Sequence, residues 1–262
     1  MADLLVICPT TEEMRAQIAD QFAPAYWREL DDQDAWLGQN GGSVRYVLTD
    51  GHLGLPQALL NGLPNLRAIS SYGVAYDAID TYATTARGVP VSHTPNVLND
   101  EVATTALMLF IATWRNLEAE LSHARSGAWA KEGNLPLSRA ADGQTVGILG
   151  LGRIGKALAD KLQPFGTTVL YHGRSKQDVP YEFYPDLVEM AKVCDTLISI
   201  APGGAATHHL INSEVMNALG PDGCLINVGR GSVVDEAALV DALETGRPGR
   251  AGLDVFEDEP RI

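Results

Sequence analysis

Short apolar runs of strand length alternate with stretches of helical spacing along the whole chain. Such alternation argues for an α/β protein with parallel sheets, because parallel strands need crossover helices between them. In the first third, residues 4–8, 44–49, 66–70 and 89–92 predict strands, with helices near 11–22, 56–60 and 78–85. A long helix is predicted from about residue 100 to 123. There Val102, Ala106, Phe110, Leu117 and Leu121 recur at multiples of helical spacing, and Asn99 can cap the start. A second set of strands is predicted at 145–149, 168–172, 196–200, 224–228 and 252–255. Internal repeats, low-complexity tracts and long charge runs are absent from the sequence.

The run at 145–149 leads into Gly150-Leu-Gly-Arg-Ile-Gly155, and helical spacing follows it. Strand, G-x-G-x-x-G and helix in that order form the dinucleotide-binding fingerprint, whereas the glycines alone would be a weak signal. Gly150 permits the tight turn, Gly152 lets the backbone approach a pyrophosphate, and Gly155 lets the helix pack close on the strand. The helix's first N–H groups, at Arg153 and Ile154, face the anion. An acid holding the adenosine ribose 2′-hydroxyl is expected about 20 residues past the motif. Gly173 stands there instead, followed by Arg174, Ser175 and Lys176. No carboxylate repels a 2′-phosphate, and a guanidinium, a hydroxyl and an ammonium are available to bind one. The expected cofactor is therefore NADP(H) in preference to NAD(H), with a solvated basic loop as the plain alternative.

The basic loop stands out because the chain is acidic, with 33 acidic and 19 basic residues and a net charge of -14. That balance disfavours nucleic acid and anionic membrane as partners, and it means an anionic substrate needs a locally positive pocket. The 262 residues are enough for one or two domains. Cys8, Cys194 and Cys224 have no C-x-x-C spacing and read as small buried hydrophobes in a reducing compartment. No cysteine, histidine and carboxylate spacing marks a metal site. The N-terminus reads as a first strand and not as a signal peptide, and the apolar stretch at 103–114 is too short to span a bilayer. The cytosol is the expected compartment.

Arg230 lies just past a predicted strand end and is flanked by Gly229 and Gly231. Ligands of open α/β sheets bind outside the strand carboxyl ends, and the flanking glycines are expected to allow close ligand approach. A surface ion pair is the alternative for Arg230. The run Asp254-Val-Phe-Glu-Asp-Glu-Pro260 puts acids at the end of the next strand, where a carboxylate can orient a cofactor amide or a catalytic base; a solvated loop is the alternative.

Together with Gly73-Val-Ala-Tyr-Asp-Ala-Ile-Asp80 and Thr94-Pro-Asn-Val-Leu-Asn-Asp-Glu-Val-Ala103, these motifs resemble the D-isomer-specific 2-hydroxyacid dehydrogenase family. The glyoxylate/hydroxypyruvate reductase branch is the most similar, and the match covers nearly the whole chain. The resemblance implies a flavodoxin-like substrate domain split in sequence, here residues 1–95, and an inserted Rossmann domain, here 96–262. It places the active site in the cleft between them and implies a homodimer formed through the Rossmann domain. Carried over, Arg230 holds and polarises a small 2-oxo acid, and Glu259 pairs with a catalytic histidine. Val228 and Asp254 serve the cofactor, and Val74 and Ala75 offer N–H groups to the substrate carboxylate. The family pattern has glycine where Ala75 stands. Its histidine falls a couple of dozen residues past the DVFEDEP match, beyond Ile262, and none of His52, His93, His123, His172, His208 or His209 sits in that motif. The return segment to the first domain is missing as well, so the sequence is expected to be a fragment. Reduction of glyoxylate or hydroxypyruvate is the expected reaction. A bulkier 2-oxo acid and a dinucleotide-sensing module without turnover are the alternatives.

Overall fold

The computed structural model describes residues 1–259 of the chain. Two compact units divide it, Met1–Leu98 and Asn99–Ile262. Pro260 at the end of the DVFEDEP motif lies outside the described residues.

The first unit holds strands β1 (Leu4–Val6), β2 (Pro24–Tyr26), β3 (Tyr46–Thr49), β4 (Ala68–Ser71) and β5 (Val91–Ser92), in the order β2-β1-β3-β4-β5 with every pairing parallel. This is the flavodoxin-like order. Leu5, Val47 and Ile69 pack with Leu59, Leu60 and Leu63 to form its core. The strands predicted from apolar runs are all present, but β2 and the helix Gln33–Asn40 escape the sequence reading. A sheet edge tolerates Pro24 as the first residue of a strand, so its missing N–H leaves no ladder bond unmade.

The second unit holds β6 (Thr145–Leu149), β7 (Thr168–His172), β8 (Glu182–Phe183), β9 (Thr196–Ser199), β10 (Cys224–Asn227) and β11 (Arg250–Leu253), ordered β11-β10-β9-β6-β7-β8 and again parallel throughout. Counted from β6, that is the doubly wound dinucleotide-binding order. The central strands β9 and β10 are buried along their whole length, as expected where helices cover both faces. The helix Arg153–Leu162 buries Gly155, Leu158, Ala159 and Leu162, one face at spacings of three and four.

The predicted long helix is in fact two, Asn99–Trp114 and Leu117–Arg125. Asn116 between them is left-handed (φ 50°), a conformation asparagine tolerates better than most residues. Ahead of the break, Ala106, Phe110 and Trp114 are buried, and the Trp114 indole N–H donates to Thr196 Oγ1 at 2.8 Å. After it, Leu117 and Leu121 are exposed. The apolar period thus runs on through a break that it does not reveal.

All three cysteines are buried thiols. Burial, with the Asp50 carboxylate second, pushes Cys8 up to about 11, and burial pushes Cys194 and Cys224 up to about 12. No helix among the described residues is long and apolar enough to cross a membrane.

Candidate active site

Strand register explains why the candidate residues of the second unit gather at one edge. Leu149 stands opposite both His172 and Ser199, Ser199 opposite Asn227, and Asn227 opposite Leu253. The carboxyl ends of β7, β6, β9, β10 and β11 therefore form one row. Gly150, Gly173, Val228 and Asp254 are each the first residue past that row. The strand order reverses between β6 and β9, and open α/β sheets bind ligands at such a switch point.

The three glycines of the β6 loop meet different demands. Gly150 has φ +99°, and its N–H donates to the His172 carbonyl at 3.0 Å. Gly152 caps the helix Arg153–Leu162, and a Cβ built on it would meet nothing within 4 Å. A Cβ on Gly155 would lie 2.5 Å from the Gly150 carbonyl oxygen. Room at Gly152 beside the N–H groups of a helix N-terminus suits a pyrophosphate, so these residues fit a dinucleotide.

Arg174, Ser175 and Lys176 are exposed in the loop after β7. The next residue, Gln177, ties that loop to the glycine loop. Its backbone N–H donates to the buried Tyr171 hydroxyl at 2.7 Å, and its side-chain amide donates to the Leu151 carbonyl at 2.8 Å. Sequence spacing gives no sign of this 26-residue link, although a tyrosine facing inward from a strand does signal that its hydroxyl needs a partner.

At the end of β10, the Asn227 side chain holds the turn that presents Arg230. Its amide donates to the Arg230 carbonyl at 2.8 Å and its oxygen accepts from the Gly229 N–H at 3.1 Å. Arg230 is half-buried and extended, with Nη1 donating to the Gly229 carbonyl at 2.6 Å. The glycines flanking Arg230 correct one expectation. A Cβ on Gly229 would stand 2.5 Å from the Ala201 carbonyl oxygen, and one on Gly231 would fall within 3.0 Å of the Phe256 backbone. They make room for neighbouring backbone and not for a ligand.

Val228 is buried and Asp254 exposed, the latter with its N–H donating to the Asn227 carbonyl at 3.0 Å. Glu259 folds back, accepting from the Phe256 N–H at 2.7 Å. His209, left-handed at φ 48°, sets Nε2 at 2.7 Å from Glu257 Oε1, and His208 stacks on its ring. His208, His209 and Glu257 thereby bring ligand-type atoms within 4.8 Å of one another, a grouping the spacing does not show. Trp129 is exposed and its indole donates to Asn134 Oδ1 at 2.8 Å, so it is not a core residue.

In the first unit, Val74 and Ala75 lie half-buried in the loop after β4. Three successive carbonyls of this loop are engaged. That of Gly73 accepts from the Thr94 N–H at 2.8 Å, that of Val74 lies 3.0 Å from His93 Nδ1, and that of Ala75 accepts from Ser71 Oγ at 2.6 Å. No acceptor among the described residues engages the N–H of Val74 or Ala75.

Comparison with known proteins gives this geometry a family. Residues 107–262 match the model of the D-isomer specific 2-hydroxyacid dehydrogenase, NAD binding domain. The chain is 40% identical over 261 residues to hydroxyphenylpyruvate reductase of Plectranthus scutellarioides, covering 99% of this chain and 83% of the relative. It is 37% identical over 260 residues to a glyoxylate/hydroxypyruvate reductase A of Arabidopsis thaliana, with the same coverage. The crystal structure of the NADPH-dependent glyoxylate/hydroxypyruvate reductase from Sinorhizobium meliloti, in complex with NADP and malonate, superposes with TM-score 0.91 at 42% identity, covering 99% of this chain and 81% of that one. The chain, shorter than these relatives, belongs to the D-isomer-specific 2-hydroxyacid dehydrogenase family.

Proposed function

We propose that the protein reduces small 2-oxo acids, glyoxylate and hydroxypyruvate first among them, to 2-hydroxy acids with NADPH. The observation that carries this is the aligned row of strand ends from which Gly150, Gly173, Val228 and Asp254 all start. Gly152 leaves room for the pyrophosphate, and Arg153 and Ile154 open the helix whose N–H groups face it. Arg174, Ser175 and Lys176 take the 2′-phosphate, a role supported by their exposure and by the NADP complex of the Sinorhizobium relative. Val228 and Asp254 face the nicotinamide end. Bound there, the nicotinamide supplies the hydride for the carbonyl carbon.

Arg230 holds the 2-oxo acid and meets the negative charge that builds on its carbonyl oxygen. The N–H groups of Val74 and Ala75 receive the substrate carboxylate. Glu259 is the carboxylate assigned to an imidazole acid, and a neighbouring negative charge favours the protonated ring. Exposed Met108, Leu117, Leu121, Trp129 and Leu137 on the second unit support a homodimer formed through that unit. The cytosol is the compartment proposed.

A second reading, a bulkier aryl 2-oxo acid as substrate, is favoured by the 40% identity to the Plectranthus hydroxyphenylpyruvate reductase. Steady-state kinetics with NADPH and NADH against glyoxylate, hydroxypyruvate and hydroxyphenylpyruvate decide the matter. A higher kcat/KM for hydroxyphenylpyruvate would select the second reading. Preference for NADH would remove the role given to Arg174 and Lys176. Dinucleotide binding without turnover of any 2-oxo acid would leave a sensing module.

A further inference from the structure

Ala75 replaces the glycine of the family pattern, and its methyl group has to go somewhere. It lies against Gly51, in the turn after β3. A Cβ built on Gly51 would come within 3.0 Å of the Ala75 Cβ and stand 3.1 Å from both the Cα and the carbonyl carbon of Ala75. Real Cβ atoms do not approach one another that closely. Gly51 does not have a positive φ, so its own backbone conformation does not call for glycine. The demand comes from its neighbour.

Neither side can retreat easily. Gly51 is buried, and its turn is fixed by Asp50, whose Oδ1 accepts from the N–H of His52 at 2.9 Å and of Leu53 at 2.7 Å. The Asp50 carbonyl also accepts from the Gly54 N–H at 3.0 Å. The facing loop is pinned by its three engaged carbonyls, at Gly73, Val74 and Ala75. Two fixed turns thus meet at one methyl group, and close-packed interiors pass such a displacement on instead of absorbing it.

We propose that Gly51 is a positioning residue for the 2-oxo acid: it admits the Ala75 methyl, and the pair fixes where the N–H groups of Val74 and Ala75 point. This rests on the role given to those N–H groups under Proposed function. The strand ends make the coupling direct, because Thr49 and Ser71, from which the two turns depart, are register partners.

The test compares four proteins: unaltered, Gly51→Ala, Ala75→Gly and the double variant. For each, KM is measured for glyoxylate and for NADPH, together with the shift in melting temperature produced by oxalate, a dicarboxylate with no ketone carbon to accept a hydride. Gly51→Ala is expected to raise the glyoxylate KM about tenfold or more, since displacement of a positioning group by an ångström has effects of up to roughly a hundredfold. The NADPH KM stays unchanged. Contacting residues are non-additive, so the double variant should return to within about threefold of Ala75→Gly alone. If Gly51→Ala does not fold, recovery of folded protein and of the glyoxylate KM in the double variant supports the pairing equally well. An unaffected glyoxylate KM, a loss that Ala75→Gly does not relieve, or coupling in melting temperature without coupling in KM would each overturn the proposal. No turnover of any 2-oxo acid by the unaltered protein would instead sink the functional reading. The oxalate shift, lost in Gly51→Ala and regained in the double variant, would still decide the pair.

Discussion

Replacing Gly152 and then Gly155 by alanine should separate room for a ligand from room for packing. A methyl on Gly155 would press on the Gly150 carbonyl oxygen from 2.5 Å, and that oxygen belongs to a turn held at φ +99°. Overpacking of this kind destabilises by about 1–3 kcal/mol, which outweighs the gain of up to ~1 kcal/mol from alanine's better helix propensity only when the clash is stiff. Backbone on both sides makes it stiff here. In a unit of this size each kcal/mol moves Tm by about 2–4 °C, so a net loss of about 1–2 kcal/mol in Gly155→Ala should lower Tm by roughly 2–8 °C. Gly152 is the opposite case. Its φ of -82° suits alanine, and its Cβ direction is open. Alanine is a poorer N-cap than glycine by about 0.5–1 kcal/mol, and the stiffer unfolded chain returns about 0.4–1, so the net effect on stability is near zero. The same methyl would stand where the proposed pyrophosphate lies, and a clash of about 1–3 kcal/mol weakens NADPH binding roughly 5- to 150-fold. Thermal melts and NADPH titration by fluorescence read the two effects. Equal losses of Tm in both variants, or full NADPH affinity in Gly152→Ala, would refute the assignment of roles within the loop.

Three further outcomes follow from the same structure. Arg174→Ala should raise the NADPH KM by about tenfold to a hundredfold through lost charge-assisted bonds while leaving NADH nearly unaffected, and a parallel loss for both cofactors in steady-state kinetics would contradict the 2′-phosphate role. Trp114→Phe should lower stability by about 1–3 kcal/mol because it strands the buried Thr196 hydroxyl, and Thr196→Val added to it should bring less than the sum of the two single losses in urea unfolding. The thiols set an alkaline limit. Cys194 and Cys224 stay protonated to about 12 in the folded protein against an ordinary 9.0, so the stability they contribute is whole below 9 and falls as pH rises from 9 toward 12. The slope is at most about 1.4 kcal/mol per pH unit for each thiol, and Cys194→Ala should flatten the profile relative to the unaltered chain; superimposable profiles would contradict it.

What could be read from the sequence divides along a physical line. The fold was legible wherever an element buries a repeating apolar face. The strands β6, β7, β9 and β10 lie within a residue of their predicted spans, because central parallel strands are apolar throughout. The glycine loop was legible because strand, turn and helix are local events. Two-residue β8 and the proline-led β2 were not, since an edge strand of that length leaves no periodic trace. The break at Asn116 was hidden because Leu117 and Leu121 continue the period without being buried.

The candidate site was legible one strand end at a time, but the bonds that fix it were not. Gln177 reaches Leu151 across 26 residues, His209 reaches Glu257 across 48, and Ala75 meets Gly51 past the ends of two paired strands of the other sheet. None of these carries a local signal, because each joins residues that only the packing of separate loops brings together. The glycines beside Arg230 show the hazard of reading such a site locally. Two glycines around a cation suggested space for a ligand, yet Gly229 gives way to Ala201 and Gly231 to Phe256. Sequence can name the residue types that a site needs, but which of several glycines faces a ligand and which faces backbone depends on register. At Gly152 the space is open and at Gly155 it is filled, and only the first should respond to the cofactor.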